Sequence, residues 1–518
     1  MDRIIMDMKY SQCLIYRWSI FALILLALSA CVPPQHQRTI HHGRAGSNQA
    51  ITYYAGYSAA FQPYKNSLSA GKLDDVLQKM SKEEQALRAA TNSDEEFSNK
   101  MGLLGLLERT SLSMQAGDIQ QSIHYSQMAE GILEDRENES YFSTGLASVG
   151  SMFAEAAGAG EYGRYDAVGF EKVLLLNMKA MDYLLQGDVR AFNVARLGIQ
   201  WQADEKEKFD KQIEEVEKEN ADQNNRKKRT TNKTSSQDKT SVFTAISKEF
   251  SKYDTRALKV SSAFVNPFGD FLAGTVNEFK SVKTKSLLSN AHISYKQALK
   301  LNPKSKVLQL AVKDTKNKRS ANNLIQIIAF DGFAPEKQVL KFGVSVPSLT
   351  APLNVEMPIY TPINSKVKKI NVTTTSGKVL TTLSPIANIT ALAFRHQKDM
   401  LPAVQSLIVA STLRDALIKE VGNRYMNGLG SLVGSVIDSA MEPNTSSWMS
   451  LPSEILGGRF HSSNGLKKVE IVSYDAKGKI LSQKLVNLSE GDRHLIFVRS
   501  IDKILAVYPS KKIWTVQQ

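Results

Sequence analysis

Gly117-Asp118 and Gly187-Asp188 each separate two apolar helical runs, and this repeated punctuation limits the folds open to the chain. Glycine accepts positive φ at the end of a helix, and aspartate can cap the helix that follows. Each dipeptide therefore predicts a tight turn between two helices that fold back on one another. Leu103, Leu104, Leu107, Leu112 and Met114 precede the first turn, and Ile119, Ile123, Tyr125, Ala129 and Ile132 follow it. Val173, Leu174, Leu176, Ala180, Tyr183 and Leu184 precede the second, and Val189, Val194 and Ala195 follow it. A third piece, Ala291 to Pro303, sets Ala291, Tyr295 and Ala298 at helical spacing and ends on a proline.

The two Gly-Asp turns stand 70 residues apart, about twice the roughly 34-residue tetratricopeptide period. The small–aromatic–small pattern of the third piece resembles the second helix of that repeat. Ser122 and Phe192 depart from it, standing where alanine is usual. Residues 51–320 are thus expected to form a tetratricopeptide-like helical array. Within it, 204–241 reads as an insertion. Asp204 to Asn225 is a charged extension of the preceding helix, and Arg226 to Ser241 is polar enough to predict disorder.

The texture changes after Asn322. Leu324 to Phe330, Val339 to Val346, Val355 to Tyr360, Lys368 to Thr373 and Val379 to Leu383 read as strands. Prolines 335, 347, 352, 358 and 362 place them at edges and turns. Lys467 to Tyr474, Ile480 to Leu488, His494 to Arg499 and Ile504 to Tyr508 are further strands, the first two joined by an Asp475-to-Gly478 turn. Their spacing suggests an antiparallel meander or part of a sandwich. Residues 398–441, with Gly422, Gly428, Gly430 and Gly434, read as an inserted helical hairpin. The expected class is α+β: helices over 51–320, then a β-rich, sandwich-like domain over 321–518.

The N-terminus carries Arg3, Lys9 and Arg17, then the apolar run Trp18 to Ala27, then Leu28-Ser29-Ala30-Cys31. A basic region, a short apolar region and small residues form a secretory signal, too short to span a bilayer. The final tetrad looks like a lipoprotein signal, with cleavage after residue 30 and acylation of Cys31. Val32 in place of aspartate implies the outer membrane. Residues 31–50 form a polar tether. Cys13 is the other cysteine, so the mature chain has no disulfide. The net charge of +14 suits anionic lipid or cell-wall carboxylates, while export excludes nucleic acid as a partner.

Gly102 to Asp118, Phe170 to Asp188, Asn266 to Gly274, Ala291 to Pro303, Asp331 to Gln338 and Ser446 to Ile455 occur in that order. Together they resemble a family of uncharacterised bacterial lipoproteins with tetratricopeptide-like helices, over roughly Tyr53 to Arg499. The charged insertion departs from it. The resemblance implies no catalytic activity and an association with lipoproteins that activate cell-wall synthases.

No catalytic constellation stands out. Gly269 to Thr275 lacks the phosphate-contacting lysine, and Gly428, Gly430 and Gly434 miss the dinucleotide spacing by one residue. Neither a metal site nor a cofactor is expected. Phe333, in the turn Asp331-Gly332-Phe333-Ala334-Pro335, and Trp448, in a loop, are candidate binding residues. The other reading makes them a hydrophobic plug between the helical and β parts. The sequence therefore predicts a non-enzymatic, lipid-anchored envelope protein that contacts other envelope proteins as scaffold or activator. A glycan-binding module or a peptidoglycan hydrolase is the alternative.

Overall fold

The computed structural model describes residues 37–38, 52–54, 56–142, 165–227, 233–317, 323–347, 349, 351–402, 404–405, 444–462, 466–488 and 493–510. The signal segment, Cys31, most of the tether and nearly all of the expected hairpin after residue 405 lie outside them.

Two short strands, β1 (Gln37–Arg38) and β2 (Thr52–Tyr54), precede the helices. The helices are α1 (Gly56–Ser69), α2 (Leu73–Arg88), α3 (Asp94–Gln115), α4 (Ile119–Phe142), α5 (Gly169–Leu185), α6 (Ala191–Lys227), α7 (Lys233–Ser251), α8 (Asp254–Ala257), α9 (Pro267–Lys280), α10 (Leu287–Leu301) and α11 (Lys306–Lys316). Then come β3 (Leu324–Asp331), β4 (Glu336–Val344), β5 (Leu353–Thr361), β6 (Lys369–Thr373), β7 (Val379–Thr382), β8 (Ser384–Asn388) and α12 (Ile389–Asp399). Last are β9 (Glu454–His461), β10 (Lys468–Tyr474), β11 (Ile480–Asn487), β12 (Arg493–Ile501) and β13 (Ile504–Pro509).

Both Gly-Asp turns form as the sequence predicts. Gly117 takes φ +87°, Asp118 N–H reaches Ser113 O at 2.9 Å, and Asp118 Oδ1 accepts from Gln121 N at 3.2 Å. Gly187 takes φ +68°, Asp188 N–H reaches Tyr183 O at 2.8 Å, and Asp188 Oδ1 accepts from Arg190 N at 2.9 Å. These bonds satisfy carbonyls and amides that helix ends leave open. The pairs α3–α4, α5–α6 and α9–α10 pack together, and α4 meets α5 while α6 meets α9. Gly274 of α9 lets the Tyr295 ring of α10 approach to 2.6 Å of where a Cβ would stand.

The strands form three sheets, ordered β1-β2-β4-β5, β11-β10-β6-β7 and β13-β12-β3-β9-β8. The five-stranded sheet lies between two layers. Leu324, Ile328, Phe330, Leu495 and Phe497 share a core with the helices. Ile325, Ile327, Ile496 and Val498 share another with Ile370, Val372, Val469 and Ile471 of the second sheet. Alternation along β3 and β12 thus buries both faces, and the two sheets face each other as a sandwich.

Several details differ from the sequence reading. No meander joins β10, β11 and β12: β12 leaves that sheet and runs parallel to β3, where its continuous apolar stretch Leu495 to Val498 is buried on both faces. Lys233 to Ser241, expected to be disordered, lies in α7. Phe209 of α6 and Val242 and Ile246 of α7 join a core with Leu340, Phe342, Val355 and Met357, which gives that helix an apolar seat. β2 pairs with β4, so the chain ahead of the helices contributes to a C-terminal sheet. Helix begins at Ile389, not Lys398, where Asn388 Oδ1 accepts from Ala391 N at 2.7 Å.

Candidate functional site

The segment 444–453 is irregular and lies on the helical array. Trp448 is 1% exposed, and its indole N–H reaches Ser111 Oγ and Ser450 Oγ, each at 3.1 Å. Glu108, on the face of α3 that meets this segment, accepts from Met449 N at 2.6 Å and Ser450 N at 3.1 Å. Ser450 Oγ–H also donates to Glu108. Glu171 of α5 accepts from Trp448 N at 3.4 Å, from Val168 N at 3.1 Å and from the Tyr165 hydroxyl. Gln115 closes the row, donating to Ser450 O at 2.8 Å. Three side chains of α3, spaced by three and four residues, thus serve this one segment, Glu108 and Gln115 through its backbone and Ser111 through the Trp448 indole.

Phe333 meets the same junction. Ala334 N–H bonds Leu451 O at 2.8 Å, and Ser453 N–H bonds Asp331 O at 2.8 Å. Arg499, fully buried, donates to Gln115 Oε1 at 2.7 Å, Phe330 O at 2.9 Å and Gly332 O at 2.6 Å. Its guanidinium lies 5.1 Å from the Phe333 ring centre and the Lys65 ammonium 5.4 Å from it. Four of the sequence phrases quoted above converge here. Phe333 and Trp448 are buried as a plug and do not present anchors to solvent, because the apolar rings close the gap between helices and sheet.

Burial sets the electrostatics. It pushes the Glu108 carboxyl up to about 7, against the Ser450, Met449 and Ser450 amide and hydroxyl donors. Burial likewise raises Glu171, opposed by Tyr165. Burial lowers Arg499 to about 9, opposed by Asp331.

Beside the junction is a cleft of about 140 Å³ lined by Tyr57, Phe61, Tyr64, Met80, Glu83, Glu108 and Arg109, among others. Arg109 binds Glu83 at 2.6 Å, and the Tyr64 hydroxyl donates to Glu83 at 2.6 Å. Arg109 Nε–H is buried and meets no protein acceptor among the described residues. Both carboxylates of this cleft are therefore engaged, one by the Trp448 segment and one by Arg109 and Tyr64.

A second buried cluster joins α9–α11 to the sheet. Arg459 of β9 holds Glu278 in a two-pronged bond, at 3.0 and 2.8 Å, and Asp314 at 3.1 Å. The Tyr295 hydroxyl donates to Glu278 at 2.6 Å, and His461 meets Asp314 at 3.3 Å. Sequence reasoning missed Glu108, Glu171, Arg459 and Arg499. The available signal was a charged residue inside an apolar run, as in Leu106-Leu107-Glu108-Arg109.

Among the described residues no group of three or more His, Cys, Asp or Glu side chains is placed to hold a metal, and no helix is long and apolar enough to cross a membrane. No protein-family model, no curated protein and no solved structure matches the chain.

Proposed function

We propose that the protein is a lipid-anchored envelope scaffold or activator, held to the outer membrane through acylated Cys31. Its tetratricopeptide-like helix pairs receive a partner protein, with cell-wall synthesis machinery as the first place to look. The observation that carries this reading is the cleft between α1, α2 and α3. Aromatic walls and an Arg109 Nε–H without a protein acceptor suit one bulky side chain bearing or flanked by a hydrogen-bond acceptor. A volume near 140 Å³ resembles cavities of about 150 Å³ that take a single benzene ring. The chain's own Trp448 segment holds the Glu108 side of the cleft, so a partner enters from the side of Ala60 and Glu83, which are exposed.

The test is cross-linking in intact cells followed by mass spectrometry of the purified, tagged protein. Ala60 lines the cleft and is exposed, so Ala60→Trp fills it without disturbing the core. A reproducible partner that Ala60→Trp removes supports the reading. An unchanged partner set places contact elsewhere, and Cys31→Ser with normal function defeats the tethered scaffold.

One observation favours the alternative of a glycan-acting enzyme: Glu108, held near neutrality, lines this cleft. Cell-wall hydrolysis by the purified protein, abolished by Glu108→Gln in a folded variant, would establish it.

A further inference from the structure

The last helix pair carries an uneven distribution of charge. From residue 279 to 317 the single acidic residue is Asp314, and its carboxylate turns inward to Arg459 at 3.1 Å. The lysines point the other way. Lys283 and Lys285 are exposed ahead of α10, Lys296 and Lys300 along it, and Lys304 in the turn after it. Lys306, Lys313 and Lys316 are exposed on α11. None of these ammonium groups forms an ion pair among the described residues, in contrast to the lysines of α6, where Lys206 meets Asp210 and Lys211 meets Glu207.

The apolar residues on the same stripes are the second observation. Ile293 is 58% exposed and Leu310 is 41% exposed. Ile293, Lys296 and Lys300 share one side of α10, at steps of three and four, while Ala291, Tyr295 and Ala298 are buried. Lys306, Leu310 and Lys313 repeat the arrangement on α11, while Val307, Leu308 and Ala311 are buried. An exposed aliphatic group flanked by long basic side chains suits an interface with acyl chains below and phosphates above. Lysine stems lie along the apolar boundary while their ammonium groups reach the headgroups.

We infer that the exposed α10–α11 face rests on an anionic phospholipid surface. Charge complementarity selects that occupant: several unpaired ammonium groups per helix pair attract a negative leaflet, each adding a comparable increment. This contact is separate from the acyl anchor at Cys31 and from the partner cleft. It fixes the orientation of the array over the membrane.

The test uses the full chain carrying Cys31→Ser, so that no acyl group contributes. Its sedimentation is measured with phosphatidylglycerol–phosphatidylcholine vesicles and with phosphatidylcholine vesicles alone. The N-terminal apolar segment contributes equally to every variant. Stronger binding to the anionic vesicles is expected, falling steeply with added salt. Lys296→Glu, Lys300→Glu and Lys313→Glu together are expected to weaken it by roughly 100-fold. Ile293→Ser with Leu310→Ser is expected to weaken it less, and all five sites are exposed, so circular dichroism is expected to be unchanged. Equal binding to both vesicle types overturns the proposal. So does an undiminished anionic preference in the folded lysine variant. Preference for soluble peptidoglycan fragments over anionic vesicles, lost in that variant, also overturns it and assigns the face to a polymer.

Discussion

The Glu108 carboxylate accepts the backbone N–H of Met449 at 2.6 Å, joining α3 to a segment 341 positions along the chain. A buried carboxylate normally needs a cation, and here neutral amides and a hydroxyl take that place. The helical array therefore already binds an irregular segment of backbone, and that segment is its own.

Replacing Glu108 with alanine leaves two amides and the Ser450 hydroxyl without their acceptor. A loss of about 3 kcal/mol is expected, since each stranded buried donor costs on the order of 1–3 kcal/mol. Urea denaturation measures it. A loss below about 1 kcal/mol would mean that Trp448 packing alone holds the segment.

The same carboxyl predicts a pH dependence. Its folded value, about 7, lies above the ordinary 4.5, so folding favours the protonated form. Its contribution is complete below the ordinary value and is lost as pH rises through about 7. Glu108→Gln should flatten the fall in stability between those values by up to about 1.4 kcal/mol per pH unit. Burial raises Glu171 and Asp182 as well, so part of the slope survives. Identical slopes in wild type and variant would refute the assignment.

Asp182 is expected to hold its proton at neutral pH. Ser122 Oγ lies 2.5 Å from Asp182 Oδ2 and 2.9 Å from Thr110 O. One hydroxyl hydrogen cannot serve both, so the carboxyl supplies the second. Burial, opposed only by Ser122, drives the same outcome. Asp182→Asn should then change stability by less than about 1 kcal/mol at neutral pH. A loss of several times that amount would show an ionised group.

Arg459→Met should cost about 3–5 kcal/mol by stranding the charge of Glu278. Adding Glu278→Gln removes that charge and leaves an acceptor for Tyr295. The double variant should regain most of the loss in thermal or urea unfolding. If it is no more stable than the single variant, the pair is not the source of the penalty.

Gly274→Ala forces a methyl group against the Tyr295 ring, and overpacking of about 1–3 kcal/mol is expected. Gly377→Ala meets nothing within 4 Å but sits at φ +83°, a cost of about 1 kcal/mol. Comparable or smaller losses at Gly274 would mean that the helix pair adjusts to the added methyl.

Much of the backbone was readable in advance. The turns at Gly117 and Gly187, the burial of Ala291, Tyr295 and Ala298, and most of the strands follow from local periodicity and turn chemistry. β8 and β9 escaped notice because Ser384 to Asn388 is short and Glu454 to His461 contains Gly457 and Gly458. Those glycines are needed where Ile386 and Leu383 press to 2.5 and 2.4 Å of a virtual Cβ, a contact that no local pattern reveals. The helicity of Lys233 to Ser241 also depends on distant packing, since its own residues are polar.

The sequence by itself determined where helices and strands lie and which faces are apolar, because backbone propensity and side-chain period act over a few residues. It also marked Phe333 and Trp448 as unusual. Only the tertiary structure decided that they form a plug, that Glu108 and Glu171 grip the Trp448 segment, and that Arg459 neutralises Glu278. Burial and partnership of a charge depend on residues hundreds of positions away, and the free energy of a polar group is set by those neighbours.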